Sequence, residues 1–158
     1  MKYLLLASTC FMAVACGGNS TSPSQTQVNF TGVYTGTYQI STCTDGTLTG
    51  FCTAAGFTAG TRLPISFSAG QSQNSVTGTM MLGSISGTFQ GTATGSGLTG
   101  TAAMNSLTNA GISVLTNVTS WSSTLTANNM TGNFAVSFAV PGFAQPSTFT
   151  ASIISLAR

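Results

Sequence analysis

Apolar and polar residues alternate with a period of two along most of the chain from Asn29 onward. Because successive side chains of a β-strand point to opposite faces, this period predicts strands with one buried face. In the first run, aromatic residues and glycines share one parity and threonines share the other, with Val33 as the exception. Clusters of Gly, Ser, Asn and Gln separate the runs, as turns require. About eight strands are predicted: Phe30–Ser41, Arg62–Ala69, Ser75–Leu82, Ser84–Thr94, Leu98–Met104, Ile112–Ala127, Met130–Val140 and Ser147–Leu156.

The sixth predicted strand changes parity along its length. Ile112 and Val114 share one parity, whereas Trp121 and Leu125 share the other. A bulge or break near 116–119 would bring both pairs to one face, because one extra residue shifts the alternation. The connection 53–60 is expected to be a loop or short turn, and 105–111 is expected to hold one turn.

Triplets of the form apolar, hydroxyl, glycine recur at irregular spacing, as in Val76-Thr77-Gly78 and Leu98-Thr99-Gly100. A solenoid would need a constant period, so the triplets indicate hairpin strands, and their inward glycines fit a strongly curved sheet. We therefore expect an all-β fold: an antiparallel up-and-down meander that closes into a small barrel. The alternative is a two-sheet β-sandwich. The Thr-Gly-Thr pattern of the strands, with Gly32-Val33-Tyr34 near the start, resembles the strands of avidin and lipocalin barrels. This resemblance implies that the barrel has room for one small ligand.

The amino-acid composition limits which binding and catalytic sites the chain can form. Charged residues make up 3% of the chain, which contains no His, one acidic residue and three basic ones. Phosphate binding needs clustered Lys and Arg, so nucleic acid is not an expected partner. The chain lacks the residues for a carboxylate pair, a Ser-His-Asp triad or a set of metal ligands. We therefore expect no enzyme activity, no catalytic residues, no cofactor and no metal.

The N-terminus has the features of an export signal. Lys2 supplies the positive end, an apolar region follows, and small residues precede Cys16. Residues 1–15 are expected to be the signal peptide, 16–28 a flexible tether rich in Gly and Ser, and 29–158 the all-β domain. Ala13-Val14-Ala15-Cys16 resembles the lipobox of bacterial lipoproteins, which implies a lipid anchor on Cys16 and, with Gly17 next, the outer membrane. A freely secreted protein is the alternative, because Ala-Val-Ala is also an ordinary cleavage site.

Cysteine usage agrees with export. Cys10 leaves with the signal and Cys16 takes lipid, so Cys43 and Cys52 remain as an even pair. In an oxidising compartment such a pair is expected to form a disulfide. The alternative is a redox or metal pair.

Six aromatic residues share the inward parity. They are either plain core or the lining of a cavity for an apolar ligand. We expect a non-catalytic, lipid-anchored envelope or surface barrel with a structural or partner-binding role; the alternative is a lipocalin-like or avidin-like carrier of a small apolar ligand. The candidate cavity residues are Tyr34, Tyr38, Phe67, Phe89, Phe134 and Phe138.

Lipidation at Cys16 can be tested by mass spectrometry of the membrane fraction. The intact protein should begin at Cys16 and carry the mass of the added acyl chains, because the lipobox cysteine becomes the modified N-terminus. A Cys16→Ser variant should lose both the added mass and the membrane association. Unmodified wild-type protein beginning at Cys16 in the culture medium would show that the chain is secreted without an anchor.

Overall fold

The computed structural model describes residues 27–109 and 112–158 and consists almost entirely of β-strands. The predicted signal, Cys16 and residues 17–26 of the tether lie outside the described residues. Among the residues that are described, no helix is long and apolar enough to cross a membrane. The elements are β1 (Gly32–Thr44), α1 (Phe51–Ala54), β2 (Arg62–Ser72), β3 (Ser75–Leu82), β4 (Ile85–Thr94), β5 (Gly97–Met104), β6 (Leu107–Asn109), β7 (Ile112–Thr126), β8 (Asn129–Ala139) and β9 (Ser147–Ala157).

The strands form an antiparallel meander that closes on itself. The strand order is β5-β4-β3-β2-β1-β9-β8-β7-β6, and an additional pairing joins β5 to β7. In that pairing Leu98 lies opposite Ser123, and Gly100 lies opposite Trp121. Because β5 and β7 pair with each other, eight strands close into a barrel. The short strand β6 pairs with the first residues of β7 and is not one of these eight. The predicted all-β closed barrel is confirmed, and the architecture is not the two-sheet sandwich.

Two connections differ in detail from their sequence predictions. The segment 105–111, where one turn was expected, contains strand β6, because Leu107 pairs with Val114 and Asn109 with Ile112 in a short hairpin. Residues 110 and 111 at its tip lie outside the described residues. In the first connection, helix α1 begins at Phe51, two residues before the predicted loop or turn.

The predicted bulge in β7 is confirmed. Against β8, the register shifts between Val118 and Ser120. Thr119 and Ser120 are both exposed, whereas Val118 and Trp121 on either side are buried. The extra residue therefore allows the apolar side chains before and after the bulge to face the interior, as the change of parity in the sequence required.

Aromatic rings fill much of the barrel interior. The Phe89 ring centroid lies 4.9 Å from that of Phe67 and 5.8 Å from that of Trp121. Trp121 stacks on Phe134 at 5.5 Å, and its Nε1 donates a hydrogen bond to Ser123 Oγ at 2.7 Å. These four rings are at most 2% exposed, so the barrel is held together by a close-packed aromatic core.

Inward glycines allow the sheet to curl this tightly. A Cβ at Gly78 would overlap the carbonyl of Ser68 on β2, and a Cβ at Gly100 would overlap the carbonyl of Gln90 on β4. Strands can therefore approach and bend at these positions only without a side chain. This explains why glycine follows the hydroxyl residue in the triplets that end at Gly78 and Gly100.

The end of the barrel where β1 begins is closed by packing and hydrogen bonds. Phe30 is fully buried there, and its carbonyl accepts a hydrogen bond from the Tyr34 hydroxyl at 3.0 Å. Arg158 donates to the Thr31 carbonyl at 2.9 Å, and its guanidinium lies 5.7 Å from the Tyr34 ring centroid. Burial raises the pKa of Tyr34, and the charge of Arg158 opposes that shift.

The assignment of faces can be tested with two pairs of neighbouring substitutions. Phe89→Ser and Phe134→Ser should each lower the free energy of unfolding by at least about 3 kcal/mol, because each removes a buried ring. Thr88→Ser and Asn133→Ser, at exposed positions beside them, should change it by no more than about 0.5 kcal/mol. Denaturant unfolding of the four variants measures these differences. Equal losses across each pair would contradict a one-sided core.

Candidate functional site

An apolar cavity of about 410 Å³ lies at the opposite end of the barrel, where β1 and β8 end and β2 and β9 begin. Small-molecule sites in proteins commonly enclose about 300–1,000 Å³. The walls come from strands around the barrel and from the turn between β3 and β4. Apolar wall residues include Leu63, Leu82, Ile85, Val114, Val136 and Phe149.

Aromatic residues from the β1–β2 connection cover part of this cavity. The ring of Phe51, on helix α1, lies 5.1 Å from that of Phe138. The ring of Phe57 lies 5.3 Å from that of Phe138 and 5.1 Å from that of Phe149. Phe51 and Phe57 are only half-buried, so this aromatic cover separates the cavity from solvent incompletely.

The cover is fastened to β1 by a covalent bond and by a carboxylate. Cys43 at the end of β1 forms a disulfide with Cys52 on α1, with an S–S distance of 2.04 Å. The predicted disulfide is therefore confirmed. The two carboxylate oxygens of Asp45 accept hydrogen bonds from the backbone N–H groups of Gly50 and Cys52, at 2.7 and 2.8 Å. Asp45, the single acidic residue of the chain, thus serves to hold this connection.

Three hydroxyl-bearing residues line the otherwise apolar walls: Ser84, which is exposed in the turn between β3 and β4, and the buried Thr116 and Tyr38. Thr116 on β7 is 1% exposed, and its Oγ1 has no hydrogen-bond partner within the described part of the chain. Tyr38 on β1 is 2% exposed, and burial raises the pKa of its hydroxyl to about 12. Tyr38 is therefore neutral at physiological pH and can both donate and accept a hydrogen bond.

The six candidate residues predicted from the sequence are all buried, but they separate into two groups. Tyr38 and Phe138 line the cavity. The other four, which lie in the packed interior, are Tyr34, Phe67, Phe89 and Phe134. The site thus occupies one end of the inward face, and most of the predicted lining belongs to the core below it.

Sequence reasoning missed other members of the site. Phe51 and Phe57 lie in an irregular connection, where no periodicity indicates which way a side chain points. Thr116 could have been found, because it continues the inward parity of Val114 before the bulge. A polar residue at an inward position is the signal that was available there.

Within residues 27–109 and 112–158, no group of three or more His, Cys, Asp or Glu side chains comes together. Cys43 and Cys52 are bonded to each other. The chemistry that the cavity offers is apolar contact and neutral hydrogen bonding.

Removing the disulfide should loosen the aromatic cover more than the barrel. The Cys43→Ala/Cys52→Ala double variant is expected to lose about 2.5 kcal/mol of stability, since the bond closes a loop with a sequence separation of 9. Hydrogen exchange should accelerate most in residues 45–61, while β3, β4 and β5 stay protected. Unchanged exchange in 45–61 would mean that Asp45 and the aromatic contacts hold the cover without the disulfide.

Comparison with known proteins gives no relative from which the role of this site could be inferred. No protein-family model, curated protein or solved structure matches the chain. What the site can bind is therefore argued from the size of the cavity, its apolar walls and its few hydroxyl-bearing residues.

Proposed function

We propose that this protein is an exported, lipid-anchored β-barrel that binds a small, largely apolar molecule in its end cavity. The observation that carries this proposal is an apolar cavity of about 410 Å³ in a barrel whose remaining interior is filled by aromatic rings. Protein cores rarely leave voids larger than a water molecule. This concavity is partly open to solvent, and apolar concave surfaces of this size are where proteins bind small molecules.

Access to the cavity supports a role in binding. Several wall and cover residues are only half-buried, so the cavity communicates with solvent at the end of the barrel. An apolar molecule that enters would cover this exposed surface and gain about 25 cal/mol for each Å² of apolar area removed from water. The half-buried residues are Phe51, Phe57, Leu63, Ile85 and Val114.

The proposed location depends on the N-terminal sequence. The lipobox-like run ending at Cys16, and the Gly- and Ser-rich stretch after it, favour anchoring to the cell envelope, with the outer membrane as the expected site. A disulfide between Cys43 and Cys52 is typical of a protein that folds in an oxidising compartment. The membrane, reached through the lipid on Cys16, is the proposed partner of the chain.

A second candidate is a non-catalytic envelope module that binds another macromolecule or has a structural role. Exposed apolar side chains favour this alternative: Met81, Leu115 and Phe143 are 45%, 46% and 48% exposed, respectively. Separate exposed apolar residues are common on soluble proteins, so they support it less strongly than the cavity supports ligand binding. In both candidates the chain acts without catalysis, as its composition predicts.

Cavity binding can be tested with naphthalene as a neutral apolar probe. Wild-type protein should bind it saturably at one site in isothermal titration calorimetry. Val114→Trp places a large ring at a half-buried wall position and should abolish binding by filling the space. Val33→Trp makes the same change at a position on β1 that is 64% exposed, and it should leave the affinity unchanged.

Circular dichroism should show that both variants retain β-structure. If naphthalene does not bind wild-type protein, or binds Val114→Trp as tightly as wild type, the cavity is not a binding site. The structural or partner-binding alternative would then be the better proposal.

A further inference from the structure

The first described residues are fixed to the end of the barrel that lies opposite the cavity. Gln27 Nε2 donates hydrogen bonds to the carbonyls of Gln73 and Ala93, at 3.2 and 3.3 Å. The Val28 N–H donates to the Gly95 carbonyl at 3.0 Å. These acceptors lie in the β2–β3 turn, at the end of β4 and in the β4–β5 turn. The chain therefore enters the barrel at its closed end.

The length of the barrel separates this entry point from the mouth of the cavity. Gly83 and Ser84, in the turn before β4, line the cavity, whereas the turn after β4 holds Val28. Strand β1 has 13 residues. At a rise of about 3.3 Å per residue and a tilt of about 35–45°, such a strand extends about 30–35 Å along a barrel axis.

The chain between the proposed anchor and the barrel is short by comparison. Gln27 follows Cys16 by 11 residues, which span at most about 40 Å when fully extended. A Gly- and Ser-rich tether of this length has a root-mean-square span of only about 17–20 Å. To bring the cavity mouth to the bilayer, the tether would have to run back along the whole barrel. It would then lose most of its conformational freedom.

Exposed apolar side chains near the mouth act in the opposite sense. Met81 precedes the wall residue Leu82, and Leu115 lies between the wall residues Val114 and Thr116. These side chains would attract the mouth of an unattached barrel to a bilayer, because apolar area would leave water. The point at which the tether joins the barrel is what opposes this attraction.

Resting on the lipid anchor and the ligand cavity proposed above, we infer that the anchored barrel directs its cavity mouth away from the membrane. The closed end faces the lipid, and the aromatic cover of Phe51 and Phe57 faces water. The cavity therefore takes its ligand from the aqueous compartment. The ligand class is an apolar molecule with measurable solubility in water, and long-chain lipids that stay in the bilayer are not ligands.

Two exposed serines at opposite ends of β4 provide matched positions for a label. Ser84 lies at the cavity, and Ser96 lies beside Gly95 at the closed end. Full-length lipidated protein with Ser84→Cys or Ser96→Cys is labelled with a thiol-reactive bimane. It is then anchored to phosphatidylcholine vesicles that contain a lipid with a nitroxide on its headgroup. The nitroxide should remove most of the emission of the label at position 96 and little of that at position 84.

The anchor is controlled by adding Cys16→Ser to each labelled variant, which should abolish quenching at both positions. Equal quenching at positions 84 and 96 in the anchored protein, or stronger quenching at 84, would overturn the inferred orientation and leave the anchor in place. If neither label is quenched while Cys16 is intact, the anchor proposal fails, and the orientation fails with it.

The route of the ligand can be measured with N-phenyl-1-naphthylamine, a neutral apolar fluorophore, dissolved in vesicles without nitroxide. Trp121 is the single tryptophan of the chain and is buried in the barrel, so energy transfer from Trp121 reports loading. The part of this transfer that excess naphthalene removes comes from the cavity. A ligand that arrives through water loads only as fast as it leaves the vesicles. Anchored protein and Cys16→Ser in solution should therefore load at the same rate.

Faster loading of the anchored protein would show direct transfer from the bilayer and would overturn the inferred route. If neither protein shows transfer that naphthalene removes, the cavity does not bind the probe. The ligand-binding proposal and the inferred route then fail together, whereas the quenching of the two labels still tests the orientation separately.

Discussion

The pairing of β5 with β7 is the contact on which the other features of this protein depend. Without it, the meander would be an open sheet with two exposed edges and an apolar face with nothing to cover it. With it, the apolar face becomes an interior, and the backbone groups of both edges find partners. The glycines that face inward, such as Gly78 and Gly100, make this closure possible, because a side chain there would overlap the neighbouring strand.

Closure does not fill the interior uniformly. Near the end closed by Phe30 and Arg158, aromatic rings pack against one another. At the other end the interior is less completely filled, and Phe51 and Phe57 from the β1–β2 connection cover part of the space that the strand residues leave. The disulfide and the Asp45 hydrogen bonds compensate for the irregular backbone of this connection, which has few strand hydrogen bonds of its own.

The polar groups inside the barrel follow the same division. Tyr34 and Trp121 lie in the packed part, and each has a hydrogen-bond partner. Thr116 lies at the cavity and has none within the described residues. Buried polar groups in folded proteins are normally satisfied, so an exception is informative where it occurs. Here it lies toward the end of the barrel that is less completely packed.

The sequence by itself determined the all-β class, the positions of the eight barrel strands, the inward face and the β7 bulge, because alternation with a period of two is a local property of the backbone. It also indicated the Cys43–Cys52 pairing, because these two cysteines remain once Cys10 is assigned to the signal and Cys16 to the lipid anchor. It did not indicate the short strand β6. Only the tertiary structure decided which inward residues pack and which border a cavity. Tyr38 and Phe67 share a parity, yet their surroundings depend on how far each lies from the end of the barrel and on the non-periodic segment carrying Phe51 and Phe57. That distance is a property of barrel closure, which no local pattern contains.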